Sequence, residues 1–369
     1  MAVRGGLEDV VACTTQICAI DGQRGVLRYR GYDVADLAGR VPFEDVCHLL
    51  WTGTLPSAAE SAALHAELFA AYAPPAVFTE WLAALPRHAA MTALRTAVSA
   101  LGMYDQGTGA DTPETQRARA LRLTAQVAWV TAAWWRLRRG GRPVSPRPDL
   151  SHAANYLLML NGCEPSAAQI QALDTALVLH ADHELNASTF AARVTAATLA
   201  DMHAAVTSAV ATLAGPLHGG ANESVMAVLD EICSPERAEA WVRQALGAGR
   251  KIPGFGHRVY RTMDPRAVRL RDLARDLAEA SGDVGPYLLT RALEDAVRRV
   301  RDLCPNVDLY SGDVYRLLGI PVDLFTPTFA VARISGWTAH IMEQYEHNRL
   351  IRPRAEYVGP PPRELAATR

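Results

Sequence analysis

Apolar residues return at alternating steps of three and four over long stretches of this chain, and that rhythm restricts it to packed helices. Leu123, Val127, Val130, Trp134 and Leu137 keep the spacing, as do Met91, Leu94, Val98 and Leu101. So do Leu270, Leu273, Leu277 and Ala280, and again Leu293, Val297, Val300 and Cys304. Each set is one stripe of an amphipathic helix. A stripe is stable only when another element covers it, so the architecture expected is helix on helix. Aromatic residues are only 7% of the chain, which points away from sheets. The one strand signal lies in TQICAIDGQRGVLRYRGY (15–32), where Asp21-Gly22 and Arg24-Gly25 punctuate a short hairpin.

The 369 residues suffice for one large core or two domains. Helix breaks are expected at 104–115, 138–150, 215–220, 253–256 and 281–286, and the tail 360–369 reads as loosely attached. A net charge of −2 argues against a general nucleic-acid partner. The most apolar run, VAWVTAAWW (127–135), is too short to span a bilayer, so no membrane partner is expected. None of the six cysteines forms a C-x-x-C pair, which fits reduced thiols and a cytoplasmic location.

Three short segments carry ionisable residues among Gly, Pro and Asn: GPLHGGANES (215–224), PGFGHRVYRTMDPRA (253–267) and NVDLYSGD (306–313). Catalytic side chains concentrate on loops held by a rigid scaffold. His218 stands just before a helix start, ESVMAVLDEI, which Asn222 or Ser224 would cap. The N–H dipoles there disfavour imidazolium and suit a neutral ring that donates to a carbonyl. A structural turn histidine is the other reading. His257 follows Gly254-Phe255-Gly256 and precedes Arg258, Arg261 and Arg266, an anion-site pattern or else a solvated basic turn. Asp308 is a general base, or else a helix cap or turn former. Arg333 lies in the apolar stretch FTPTFAVARISGWTAHIMEQ (325–344), on a face with Trp337 and His340. A charge in such company needs a partner, either a buried carboxylate or one brought by a substrate. His180 and His183, spaced to share a helix face, invite a zinc reading with Glu184, but H-x-x-H-E fits neither helical zinc pattern.

Taken together these strings closely resemble the citrate synthase family. The likeness runs from GVLRYRGYDVADLA (25–38) to IRPRAEYVG (351–359), with LHADHELNASTFAARV, GPLHGGANE, GFGHRVYRTMDPRA, NVDLYSG and FTPTFAVARISGWTAHIMEQ in the family's order. The resemblance implies an all-α, multi-helical fold with a large helical domain (1–220 and 318–369) and a smaller mobile one (221–317). It implies an acyltransferase of the tricarboxylic acid cycle that condenses acetyl-CoA with oxaloacetate and hydrolyses citryl-CoA. Asp308 would take the methyl proton, His218 would stabilise the enol and His257 would donate to the ketone oxygen. His183, Arg266 and Arg333 would hold oxaloacetate, with Arg352 reaching in from the partner subunit of a homodimer. Arg261 would meet a CoA phosphate, and the backbone at Lys251, Ile252 and Pro253 would line the adenine site. No metal or cofactor is implied, acetyl-CoA being a co-substrate. YRGY at 29–32 implies the short dimeric type, without the N-terminal segment linked to NADH inhibition in longer members. Three other readings stand beside this one: a 2-methylcitrate synthase using propionyl-CoA, a non-catalytic helical paralogue, and a zinc hydrolase built on His180, His183 and Glu184.

Overall fold

The computed structural model describes residues 5–7, 10–105 and 112–363. Thr112 and Asp105 flank 106–111, so the middle of the expected break at 104–115 lies outside the described residues, as does 364–369 of the tail. The periodic stretches are helices. Leu94, Val98 and Leu101 are buried on α1 (Ala90–Leu101). Leu123, Val127, Val130 and Trp134 are buried on α2 (Pro113–Arg138). The start of α2 is set by chemistry as much as by pattern: Thr112 accepts from the Thr115 N–H, and Pro113 occupies a first-turn position where its missing N–H costs nothing.

The middle of the chain runs through α3 (Ala167–His180), α4 (Ala187–Ala196), α5 (Met202–Leu213) and α6 (Ala221–Ile232). The stripe from Leu270 to Leu277 is buried on α7 (Pro265–Ser281), while Ala280 is exposed at its end. On α8 (Gly285–Arg301), Leu293 and Val297 are buried. Asp302 then adopts a left-handed conformation (φ 49°) that ends the helix. Cys304, expected on that stripe, therefore lies in the loop beyond it. The last two helices are α9 (Val307–Leu317) and α10 (Phe325–Glu346).

The hairpin forms from β1 (Cys18–Asp21) and β2 (Val26–Tyr29), antiparallel with Cys18 opposite Tyr29. A two-residue β3 (Tyr32–Asp33) extends it to three strands. The fold class is all-α, as the stripes require.

The centre of the molecule is α10. Every residue from Phe325 to Ile341 is buried, so both faces of this helix are covered rather than one. It packs against α2, α3, α4 and α5. Gly336 makes its seat possible. A Cβ there would collide with the Ala181 carbonyl and the Asp182 carboxylate in the loop after α3. Residues 221–317 contribute α6, a helix at Ala238–Gly247, α7, α8 and α9, which pack largely on one another. Among the described residues no single helix is long and apolar enough to cross a membrane.

Candidate active site

His218 sits in a tight turn between α5 and α6. Its N–H donates to the Gly215 carbonyl and that of Gly219 to the Leu213 carbonyl (2.9 and 3.0 Å). A Cβ at Gly219 would run into the Leu213 carbonyl and side chain, so the turn demands glycine. Helix α6 starts at Ala221 with Gly220 as an uncapped N-cap, two residues earlier than the polar pattern suggests. Asn222 and Ser224 are therefore not caps. Asn222 is buried in the first turn, and the Ser224 hydroxyl donates back to the Gly220 carbonyl. Nε2 of His218 faces Ser188, 3.4 Å from its N–H and 2.8 Å from its hydroxyl oxygen, so Nδ1 is the ring nitrogen left for a substrate. Burial, with Arg333 adding to it, pushes the His218 pKa down to about 4, so the ring is neutral.

His257 is fixed by its own loop. Nδ1 accepts from the N–H groups of Val259 (3.0 Å) and Tyr260 (3.2 Å), so the proton is on Nε2. Burial, helped by Arg266, lowers its pKa to about 4. This ring is a second neutral donor.

Asp308 is the second residue of α9, not a loop residue, and Ser311-Gly312 is helix rather than turn. The reason is Asn306. It is the N-cap, and its Oδ1 accepts from the Asp308 N–H at 2.9 Å. Nothing among the described residues hydrogen-bonds to the Asp308 carboxylate. Burial pushes its pKa up to about 7, against the pull of Arg266 and Arg333.

His183 lies in the loop between α3 and α4, and His180 is the last residue of α3, so the two do not share a helix face. The His180 Nδ1–H donates to the Ala176 carbonyl (2.7 Å). Among the described residues no three His, Cys, Asp or Glu side chains cluster as a metal site would need. Nε2 of His183 lies 3.3 Å from the Tyr260 hydroxyl, and burial holds its pKa well below the usual histidine value.

Two buried guanidinium groups complete the set. Arg266, in the first turn of α7, gives Nε and Nη2 to the Asp264 carboxylate (3.0 and 2.7 Å). Arg333 is 1% exposed and donates Nε to the His180 carbonyl (2.6 Å). Its guanidinium lies over the Phe329 ring, 4.7 Å from the centroid. Among the described residues no carboxylate lies within ion-pair reach of Arg333. Burial holds its pKa below the ordinary arginine value. Asp182 and Asp308 act on Arg333 only from beyond ion-pair distance, so the guanidinium keeps room for a substrate carboxylate.

His183, His218, His257, Arg266, Asp308 and Arg333 line one cavity of about 130 Å³. Asn186, Asn306, Val307 and Phe329 complete its wall. Sequence reasoning assigned these four no role. The two asparagines had a readable signal, since each stands just before a helix start and caps it. Arg352, Lys251 and Arg261 are exposed and do not line this cavity, and Ile252 and Pro253 are half-buried beside it in the chain. A larger open groove of about 470 Å³, walled by Leu229, Pro286 and Leu289, carries no comparable set of groups.

The cavity thus offers two neutral imidazole donors, one carboxylate of raised basicity and two fixed cations. Such a set can seat a small dianion and draw a proton from carbon while an oxyanion forms.

Comparison with known proteins points the same way. The family model described as "Citrate synthase, C-terminal domain" matches residues 6–354. Citrate synthase 2 of Bacillus subtilis is 47% identical over 362 residues, covering 98% of this chain and 97% of that protein. Citrate synthase of Haloferax volcanii is 46% identical over 367 residues, covering 97% and 96%. The solved citrate synthase of Thermoplasma acidophilum, described as a ternary complex with carboxymethyl coenzyme A and oxaloacetate, superimposes with a TM-score of 0.94 at 35% identity, covering 99% of this chain and 98% of that one.

Proposed function

The chain belongs to the citrate synthase family, and from that premise we propose how its cavity condenses acetyl-CoA with oxaloacetate. The observation that carries the reading is the convergence of Asp308, His218 and His257 on one cavity that also holds Arg266 and Arg333. A thioester methyl is a very weak carbon acid. A carboxylate removes its proton only if the enolate oxygen is stabilised as charge develops. Asp308 takes the proton while Nδ1–H of His218 donates to the thioester oxygen. The enol carbon then attacks the keto carbon of oxaloacetate, and Nε2–H of His257 protonates the alkoxide as the carbon–carbon bond forms. Water adds to the acyl carbon of citryl-CoA, the carbon–sulfur bond breaks, and citrate and CoA thiol leave.

Arg333, Arg266 and His183 hold the oxaloacetate carboxylates. Arginine suits this task because it stays charged and binds in a fork. Arg352 is exposed in its own chain and comes from the partner subunit of a homodimer. Arg261 meets a CoA phosphate, and the backbone of Lys251, Ile252 and Pro253 lines the adenine. Residues 221–317 act as a small domain that closes on the substrates and keeps the intermediate from water until condensation is complete. The scheme asks for no metal or redox group. The six free cysteines fit a reducing cytoplasm.

The test is thiol release from acetyl-CoA by the purified protein, with and without oxaloacetate. Release only with oxaloacetate is expected. Faster release with propionyl-CoA would convert the reading to a 2-methylcitrate synthase, and none with either would refute it.

A further inference from the structure

Two segments carry the groups that act on the two reacting carbons. One holds His257 and the other holds Asp308. Both are glycine-rich or irregular just where they enter the cavity. Gly254 (φ 84°) and Gly256 (φ 74°) adopt left-handed backbone, which glycine enters freely because it has no Cβ to restrict it. The segments are sewn together by main-chain bonds: Asn306 N–H to the Gly254 carbonyl (2.9 Å) and Gly256 N–H to the Cys304 carbonyl (3.0 Å). A bridge between Phe255 and Pro305 continues the seam.

One side chain then closes it. Asn306 accepts the Asp308 N–H with Oδ1 (2.9 Å) and donates Nδ2–H to the Gly256 carbonyl (3.0 Å). Among the described residues it alone bonds both segments through its side chain. Its amide therefore spans from the residue next to His257 to the backbone of Asp308. An amide is the group this bridge needs, because one end must accept and the other donate.

We propose that Asn306 is a positioning residue that locks Asp308 and His257 into one unit, so that proton abstraction and ketone polarisation stay in register when the cleft moves. This rests on the condensation chemistry proposed above. Among the described residues the Asp308 carboxylate has no hydrogen-bond partner, so its aim depends on the backbone that Asn306 holds. The Nε2–H of His257 depends on the adjoining loop in the same way. A displacement of about 1 Å between groups that must meet a substrate together costs on the order of 100-fold in rate.

A plain helix cap is the competing role, and it is separable. Asn, Asp and Ser cap about equally well. Asn306→Ser and Asn306→Asp both keep an oxygen for the Asp308 N–H; the aspartate has no donor for the Gly256 carbonyl, and the serine hydroxyl, one bond shorter than the amide, does not reach it. The parent protein is assayed first by thiol release, and its silence would refute the condensation reading rather than this one. With an active parent, each variant should lose about 10- to 100-fold in kcat, with KM for oxaloacetate changed by less than about threefold. The loss in Asn306→Asp should persist at pH 9, where a second carboxyl no longer leaves Asp308 protonated. The Tm should stay close to the parent's. Ser57→Ala, which removes a distant capping box, should lower Tm without changing kcat. Turnover within about twofold of the parent in Asn306→Ser or Asn306→Asp would reduce Asn306 to a cap and overturn the proposal. Asn306→Asp is close to isosteric and remains available if the serine variant does not fold.

Discussion

Replacing the general base should make the protein more stable while it destroys activity. Burial pushes the Asp308 pKa up to about 7, against an ordinary aspartate value of about 3.9. The gap of about 3 units corresponds to an upper bound of about 4 kcal/mol against the ionised form in the folded state. Asp308 is partly exposed to its cavity. Cavity water screens part of the cost, and about 2 kcal/mol is the working figure. The sign follows from the raised value: relative stability is fully present below the unfolded pKa near 3.9 and is lost as pH rises through about 7. Asp308→Asn cannot ionise and escapes that loss. For 369 residues the unfolding entropy is about 0.8 kcal/mol/K, so Tm should rise by about 2–3 °C at pH 8. At pH 5, where the folded-state carboxyl is less ionised, the gain should be smaller. Burial raises Asp174 and Asp313 to about 7 as well, so the parent's own pH curve sums several acids, and only the difference between parent and variant isolates Asp308. Scanning calorimetry at pH 5 and pH 8, with thiol release as the activity readout, makes the test. An unchanged Tm at pH 8, or an equal shift at both pH values, would refute the argument that the carboxylate is held in an unfavourable setting.

The pH dependence of kcat/KM should show one ionisation, rising with pH to a plateau above about 7, because Asp308 must be ionised; His218 and His257, both lowered to about 4, should not titrate between pH 5 and 9. Arg333→Ala should raise KM for oxaloacetate by about 10- to 150-fold through loss of charge-assisted bonds worth about 1.5–3 kcal/mol, with Arg333→Lys recovering only part because the fork is lost. Sedimentation should give a dimer. Asp308→Asn and Arg352→Ala, each nearly inactive alone, should regain about one quarter of parental activity when mixed and reassociated, since half of the hybrids' sites are then intact; no recovery from confirmed hybrids would mean that Arg352 serves its own chain.

The helices were legible because their stripes are long: Leu123 to Trp134 follows one face for three turns. The chemistry-bearing residues were legible because each stands in a distinctive string. What escaped was set by short local contests. Asp308 read as a turn residue, since Asn-Val-Asp serves a loop as well as a helix start, and only the bond from Oδ1 of Asn306 decides between them. His180 and His183 had helical spacing, yet α3 ends at His180. Phe329 read as one more apolar residue of α10, because its role under Arg333 depends on a contact that spacing does not reveal.

The buried guanidinium of Arg333 has a consequence for the lifetime of the enzyme. Arg333 is desolvated and, among the described residues, makes no ion pair of its own, so the idle molecule is the least durable form. A dianionic guest at 100 times its Kd would add about 2.7 kcal/mol to the folded state. Supply of the keto acid would thus govern how long each copy survives thermal opening and proteolysis, as well as how fast it turns over.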